Sequence, residues 1–492
     1  MGSFPFGKEK RMFYRICDHI ALRSWEYVPF AFYVRNKPYA IKLEKEEFSL
    51  MLLCDGEYDL ADQELLKDLE QRGLIETCRR GEHPSRWSEH RSFPHRYFPK
   101  MNLMITGKCN YNCLHCFNAA DNAPLMAEWS YEDLTELLDQ ARDCGVHAFT
   151  ITGGEPMLHP HFEEILRGII DREMFVEELN TNGFFIRQEI LDRMAAMGCR
   201  PLMKISFDGI GCHDWMRARK GAETRTLSAI RLCIENGFSV MVQMQVNRRT
   251  LDSLLPTLNL LEKEGVSSVR LIRTTEVERW EMNGGDAALS LSEYYEKMLT
   301  LAAAYRNGDH RMPLDIWQFL RIHPVEKKYD IPPVKCAAGE YRKNLPMCSG
   351  NRGMVAVTAE GDVVPCLQLS GFYKDHGITL GNVHESKLRD LLTAGRYMET
   401  VCATVSDLKD NNSKCASCCY FEYCCGGCPG MGMVFSGDEQ NMYGTDISKC
   451  LFFENGWFER INEAFRDWEC LTPIPPREEI MAQWRYRQLQ WN

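Results

Sequence analysis

Three cysteines follow an apolar run, Met101 to Ile105, at the spacing C-x3-C-x2-C: Cys109, Cys113 and Cys116. Thiols this close together on a loop behind a strand suit a single metal centre. A cubane iron-sulfur cluster needs four ligands, so three thiolates leave one iron open. An open iron is where a small molecule could be bound and reduced. The same spacing is also open to zinc in a knuckle, or to ordinary buried thiols.

Composition narrows the choice. The 492 residues, 45% of them hydrophobic, can bury a full-sized core and should divide into two or three domains. A net charge of -11 disfavours nucleic acid and anionic membrane as partners, because both select a clustered basic surface. No apolar run reaches ~18 residues, and Met1 to Lys10 lacks the apolar stretch of a secretory signal. The chain is expected to be cytoplasmic, with no membrane partner. Twenty-two cysteines in a reducing compartment are not a disulfide framework, which makes metal binding the economical account of their clustering.

The elements that must position these residues change character along the chain. Residues 1–80 read as a small module: strands over Tyr27–Val34 and Pro38–Leu43 joined by a turn at Asn36, then helices over Glu46–Leu53 and Ala61–Arg72, the second closed by Gly73. Residues 81–99, polar and rich in His, Arg and Ser, read as a linker. From residue 100 to 310 strands and amphipathic helices alternate. The strands are Met101–Thr106, His147–Thr152, Phe175–Asn180, Met203–Phe207, Ser239–Asn247 and Ser267–Arg273, and the helices include Tyr131–Asp143, Phe162–Asp171, Arg187–Met197, Glu223–Asn236 and Leu251–Glu264. Six βα units predict a parallel sheet with right-handed crossovers. Six strands are too few to close the eight-stranded barrel, so the fold class expected is α/β, a partial (β/α)6 barrel. Polar residues alternating with apolar ones, Lys204, Ser206 and Asp208 against Met203, Ile205 and Phe207, predict a ligand-holding interior.

Sites on such sheets lie at the carboxyl ends of the strands, and the motifs fall there. The cysteine loop follows the first strand. Gly153-Gly154-Glu155-Pro156 follows the second, its glycines allowing close backbone approach and Glu155 offering an acceptor for an ammonium group. Asn180-Thr181-Asn182-Gly183 follows the third strand. Ser206 and Asp208 follow the fourth, a hydroxyl and a carboxylate suited to a ribose diol.

In this order the motifs resemble those of the radical S-adenosylmethionine superfamily. The resemblance implies that Cys109, Cys113 and Cys116 hold a [4Fe-4S] cluster whose open iron chelates S-adenosylmethionine. It also implies that Gly153, Gly154, Glu155 and Pro156 contact the methionine ammonium, and that Ser206 and Asp208 contact the ribose. His213-Asp214 and Arg217 look like those of members that act on peptides, or could cap the fourth helix. The N-terminal module, through Leu52-Leu53-Cys54-Asp55-Gly56 and Leu65 to Ile75, resembles the winged-helix-like, PqqD-like element that binds leader peptides, although it is also readable as a structural cap.

The second half adds Cys348, twelve residues, Gly361, four residues and Cys366, then Cys415-x2-Cys418-x5-Cys424-x3-Cys428, a gap and Cys450. This is similar to the SPASM pattern, and the resemblance implies a cysteine-rich SPASM domain over 311–470 with two auxiliary [4Fe-4S] clusters. Cys415, Cys418, Cys424 and Cys450 would hold one. Cys348, Cys366 and Cys428 would hold the other, with Cys336 as its fourth ligand or an iron left open. Cys419 and Cys425 break the spacing and read as neighbours of the motif. An amphipathic helix over Leu451–Trp468 and a tail over 471–492 complete the chain.

The expected function is a maturase that cleaves S-adenosylmethionine to a 5'-deoxyadenosyl radical and modifies a ribosomally synthesised precursor peptide with a leader, by a sactisynthase-like thioether cross-link. A flavodoxin or ferredoxin would supply single electrons. The alternatives are a sulfatase-maturing, formylglycine-forming enzyme, a SPASM oxidoreductase acting on a small molecule, and a non-catalytic electron carrier. The last has no use for the Gly-Gly-Glu-Pro and ribose positions.

Overall fold

The structure, a computed structural model, describes residues 11–60, 64–116, 126–274, 278–336, 343–348, 350, 353–436 and 441–490. Aromatic and β-branched residues open it as strands β1 (Phe13–Ile16), β2 (Ile20–Trp25), β3 (Val28–Val34) and β4 (Ile41–Lys42). Helices α1 (Lys45–Met51) and α2 (Glu64–Gln71) and strands β5 (Ile75–Cys78) and β6 (Arg91–Phe93) follow. β1 pairs with β5, and the other four strands form a sheet in the order β4-β3-β2-β6. Asn36 makes the expected turn in the left-handed region, at φ 61°. The strand expected over Pro38–Leu43 shrinks to two residues, as proline gives no N–H to a ladder. Of the helix expected over 61–72, residues 61–63 lie outside the described residues. The winged-helix reading of this module rests on the resemblance alone.

The segment 81–99 is not a free linker. It carries β6, paired in parallel with β2, and it buries Trp87, Phe93 and His95. The Arg23 guanidinium, itself buried, donates to the carbonyls of Leu22, Glu89 and Trp87 at 2.7–2.9 Å. The segment is therefore fastened to the module's own sheet, around a buried guanidinium and an aromatic cluster with Trp25 and Tyr33.

The six barrel strands form where alternation placed them: β7 (Lys100–Met104), β8 (Ala148–Thr152), β9 (Phe175–Thr181), β10 (Leu202–Ser206), β11 (Val240–Val246) and β12 (Ser268–Arg273). All five neighbouring pairs are parallel. Between them run α3 (Tyr131–Asp143), α4 (Phe162–Asp171), α5 (Gln188–Ala196), α6 (His213–Met216), α7 (Ala222–Glu235) and α8 (Leu254–Glu264), with α9 (Glu278–Asn283) and α10 (Leu291–Asn307) after β12. Leu103, Phe149, Ile151, Leu179, Met203, Ile205 and Val242 are fully buried beneath the helices, each contributing about 1.5–3 kcal/mol of transfer free energy.

The six-stranded sheet continues at both edges. Strands β13 (Leu314–Ile316), β14 (Leu320–His323) and β15 (Lys328–Asp330) extend it past β12. β16 (Met354–Val357) pairs in parallel with β7 and turns at Gly361, φ 86°, into β17 (Val363–Val364), and β18 (Glu469–Cys470) closes the far edge on β15. The result is one sheet of twelve strands, a partial barrel whose edges are borrowed from the cysteine-rich region. The single helix expected over Leu451–Trp468 is two, Ile447–Glu454 and Trp457–Ala464, separated by Gly456 at φ 65°. Its apolar stripe is core: Phe452, Trp457, Phe458, Ile461 and Phe465 are all buried. Among the described residues no helix is long and apolar enough to cross a membrane.

Candidate functional site

The cysteine loop leaves β7 at the carboxyl end of the sheet and is clamped from below by the loop after β8. The Gly154 N–H donates to Thr106 O at 2.7 Å and the Glu155 N–H to Lys108 O at 2.9 Å. Both glycines are required by this approach. A Cβ on Gly153 would lie 2.3 Å from Thr106 O, and one on Gly154 would lie 2.2 Å from Lys108 O. The paired glycines thus bring the second loop against the cysteine loop's own backbone. Further ties come from Leu114 N–H to Met216 O at 3.0 Å, Arg279 Nε to Cys113 O at 2.9 Å, and Asn182 Nδ2 to Asn110 Oδ1 at 2.8 Å.

Cys109, Cys113 and Cys116 come together with Tyr111, Phe184 and Ala222 in one apolar cluster. Burial pushes the Cys109 thiol up to about 12, with Cys113 and Cys116 as charged-state neighbours that raise it further. A thiol so placed becomes a thiolate on binding metal. Among the described residues no three His, Cys, Asp or Glu side chains converge on a point that a single ion could fill.

Both carboxylates expected at the ligand are engaged by protein groups. The Glu155 carboxylate is fully buried and already occupied, accepting from Thr181 Oγ1 at 2.9 and 3.0 Å, Asn182 N at 2.8 Å and Met157 N at 3.3 Å. Burial pushes it up to about 7 in spite of those donors. It braces the end of β9. Asp208 is likewise fully buried and bound by Arg217, with Nη2 to Oδ1 at 3.0 Å and Nε to Oδ2 at 2.6 Å. Burial alone would raise its pKa, but the guanidinium and the His213 contact outweigh it and hold the carboxyl well below the usual range. Ser206, half-buried at the end of β10, keeps the expected position beside Gln243.

Pro156 begins a short turn of 3-10 helix that Glu155 caps. Buried polar atoms around the loop lack protein partners among the described residues: Asn110 Nδ2, His115 Nδ1 and Asn180 Oδ1. Buried polar groups are normally paired, so a polar ligand seated at the strand ends fits this donor and acceptor set. Sequence reasoning missed Arg279, which carries no motif, and the bracing role of Thr181 and Asn182.

The second half of the chain gathers its cysteines into two groups. Cys415 has Cys450 and Cys418 as charged neighbours, and Cys424 has Cys418 and Cys415. Cys366 has Cys428 and Cys348. Cys336, the expected fourth ligand of the second group, lies against Cys425, Sγ to Sγ 3.4 Å, both buried. A half-buried and a fully buried lysine stand beside these groups. Lys335 Nζ donates to Met347 O at 3.3 Å, and Lys449 Nζ donates to Gln318 O at 3.1 Å. Burial pushes Lys449 down to about 8, against Asp446 and Cys428.

Comparison with known proteins agrees with this geometry. Residues 103–261 match the family model described as the radical SAM superfamily, and residues 348–419 match SPASM, described as an iron-sulfur cluster-binding domain. The chain is 25% identical to the AdoMet-dependent heme synthase of Methanosarcina barkeri over 68% of its own length and 92% of that protein. It is 32% identical to the subtilosin biosynthesis protein AlbA of Bacillus subtilis over 30% of its length and 33% of AlbA. The solved structure of Streptococcus suis SuiB bound to precursor peptide SuiA superposes with a TM-score of 0.61 at 14% identity, covering 89% of this chain and 99% of SuiB. That coverage reaches beyond the barrel and the cysteine-rich region into the N-terminal module.

Proposed function

As the chain is a radical SAM enzyme with a C-terminal SPASM domain, we propose that it modifies a ribosomally made peptide by forming a thioether from a substrate cysteine to a carbon of the same peptide. Cys109, Cys113 and Cys116 would hold the cluster that takes S-adenosylmethionine. When bound, that group supplies one electron to the sulfonium, releasing methionine and a 5'-deoxyadenosyl radical that abstracts hydrogen. The chain's own residues do the rest. The glycine clamp fixes the loop, the carbonyls of Gly153 to Glu155 accept from the ammonium, and Ser206 with Asn180 faces the polar part of the ligand. Tyr111 and Phe184 keep water from the cysteines.

The thioether reading is supported by Cys348 and Cys428 standing beside Cys366, three thiols for one cluster. Three thiolates would leave one position open, where the substrate thiol would bind with loss of its proton, and the cluster would take up the electron left on the carbon radical as the C–S bond forms. The peptide reading is supported by the N-terminal module, which exposes Tyr39 and Ile41 at the edge strand β4 and Leu52 and Leu53 at the end of α1. We assign this strip to the leader. The module sits at the amino ends of the barrel strands, where Tyr33 stacks on His147 at 4.3 Å and donates to Gly145 O. A peptide held there must pass along the barrel to reach the cysteines.

Mass spectrometry of a peptide incubated with the reduced enzyme tests the proposal. Loss of two hydrogens per link, with the cysteines no longer alkylatable, is expected. Free cysteines with the same mass loss place the cross-link elsewhere, and a formylglycine product overturns the substrate class. The likeness to a heme synthase over nearly all of that protein favours a second reading, oxidation of a small molecule. A porphyrin substrate that is turned over while peptides are not would select it.

A further inference from the structure

Asp208, expected at a ribose, and Arg217, expected either as a mark of peptide-acting members or as a helix cap, form one buried pair whose guanidinium reaches the cysteine loop. Arg217 Nη1 lies 3.7 Å from Cys113 Sγ, while its Nε and Nη2 are fixed on the two oxygens of Asp208. The guanidinium is 7% exposed and the carboxylate 0%. Asp208 is in turn held by the Gln245 N–H at 3.1 Å. The His213 ring packs on the same residue, its Nδ1 3.0 Å from the Asp208 nitrogen and 3.3 Å from Asp208 Oδ2, and its Nε2 lies 3.2 Å from Thr226 Oγ1. The Thr226 hydroxyl closes the chain on Asn182 O at 3.2 Å, beside Cys109. Every member is packed, and one end of the guanidinium has a sulfur as its partner.

We propose that Arg217 is a positioning residue that sets the reduction potential of the cluster bound at Cys109, Cys113 and Cys116, through a charge-assisted N–H to Cys113 sulfur held in register by Asp208. The proposal rests on the reading of those three cysteines as ligands. Cluster potentials respond to net charge, hydrogen bonds to sulfur and solvent exposure. Reduction adds one negative charge, which a buried guanidinium stabilises. The fork geometry lets Asp208 hold two nitrogens while the third addresses the sulfur, an arrangement that a lysine does not reproduce.

The test is an EPR-monitored redox titration of the full-length, anaerobically reconstituted protein, following the signal that changes when S-adenosylmethionine is added. Arg217→Met should keep its iron and shift the midpoint of that signal to more negative potential by at least a tenfold change in the reduction equilibrium, 59 mV for one electron. Arg217→Gln, which retains an N–H donor, should shift it less in the same direction. Full iron with an unmoved midpoint in Arg217→Met overturns the proposal and leaves the ligand assignment standing. If Arg217→Met loses about a third of its iron, Arg217→Gln decides: a negative shift supports the proposal, and an unmoved midpoint or the same loss of iron replaces it with a purely structural role. Persistence of the S-adenosylmethionine-sensitive signal after alanine replacement of Cys109, Cys113 and Cys116 overturns the ligand assignment itself.

Discussion

Replacing Glu155 separates a brace from a ligand contact. In Glu155→Ala the N–H groups of Asn182 and Met157 and the Thr181 hydroxyl lose their acceptor inside a fully buried site. A buried donor left unpaired costs about 1–3 kcal/mol. The hydroxyl can rotate to another acceptor and the two backbone groups cannot, so the loss of stability is about 2–6 kcal/mol. Glu155→Gln keeps the shape and presents one amide nitrogen to a backbone donor, so it costs about 1–3 kcal/mol, a single orphaned group. The two variants also differ from the parent in pH dependence. Because burial raises the folded pKa from 4.5 to about 7, the native state retains a proton that the unfolded chain releases. This carboxyl therefore makes stability fall as pH rises through that window. Both variants remove that fall. Urea denaturation at several pH values measures these effects, and isothermal titration of S-adenosylmethionine into the reconstituted protein measures ligand affinity. Unchanged urea midpoints with a large loss of affinity would refute the bracing role and return Glu155 to the ammonium.

Reconstituted protein should bind about twelve irons, three cubanes' worth. Joint replacement of Cys109, Cys113 and Cys116 by alanine should remove about a third of them, together with all formation of 5'-deoxyadenosine. Gly154→Ala, whose Cβ meets two backbone carbonyls, should destabilise by about 1–3 kcal/mol and slow S-adenosylmethionine cleavage; wild-type cleavage would show that the clamp tolerates displacement. Deletion of residues 1–80 should abolish peptide turnover and spare uncoupled S-adenosylmethionine cleavage, whereas full peptide turnover would reduce the module to a cap. Burial holds His147 at about 3, below its usual 6.5. The unfolded chain therefore takes up a proton first, and stability present above pH 6.5 is lost as pH falls toward 3, by up to about 5 kcal/mol. His147→Gln should flatten that acid limb in urea titrations, and an unaltered limb would place its origin elsewhere.

The sequence by itself determined the barrel. Strands β7 to β12 and their helices fall within a few residues of their expected bounds, because periods of 2 and 3.6 record which face each residue turns to the core. It also carries the cysteine spacing, because spacing along a loop is a local property. Tertiary structure alone decided what lies between distant segments. β16 joins β7, a pairing set by two strand edges far apart in the chain. Cys336 meets Cys425, a contact that no local spacing records. Glu155 and Asp208 carry the motif positions of ligand contacts, yet their carboxylates are consumed by Thr181, Asn182 and Arg217. A motif records which residue types gather at a strand end. Which of them keeps a free polar atom depends on desolvation, since a buried carboxylate takes the nearest donors that folding supplies, and those donors come from other strands.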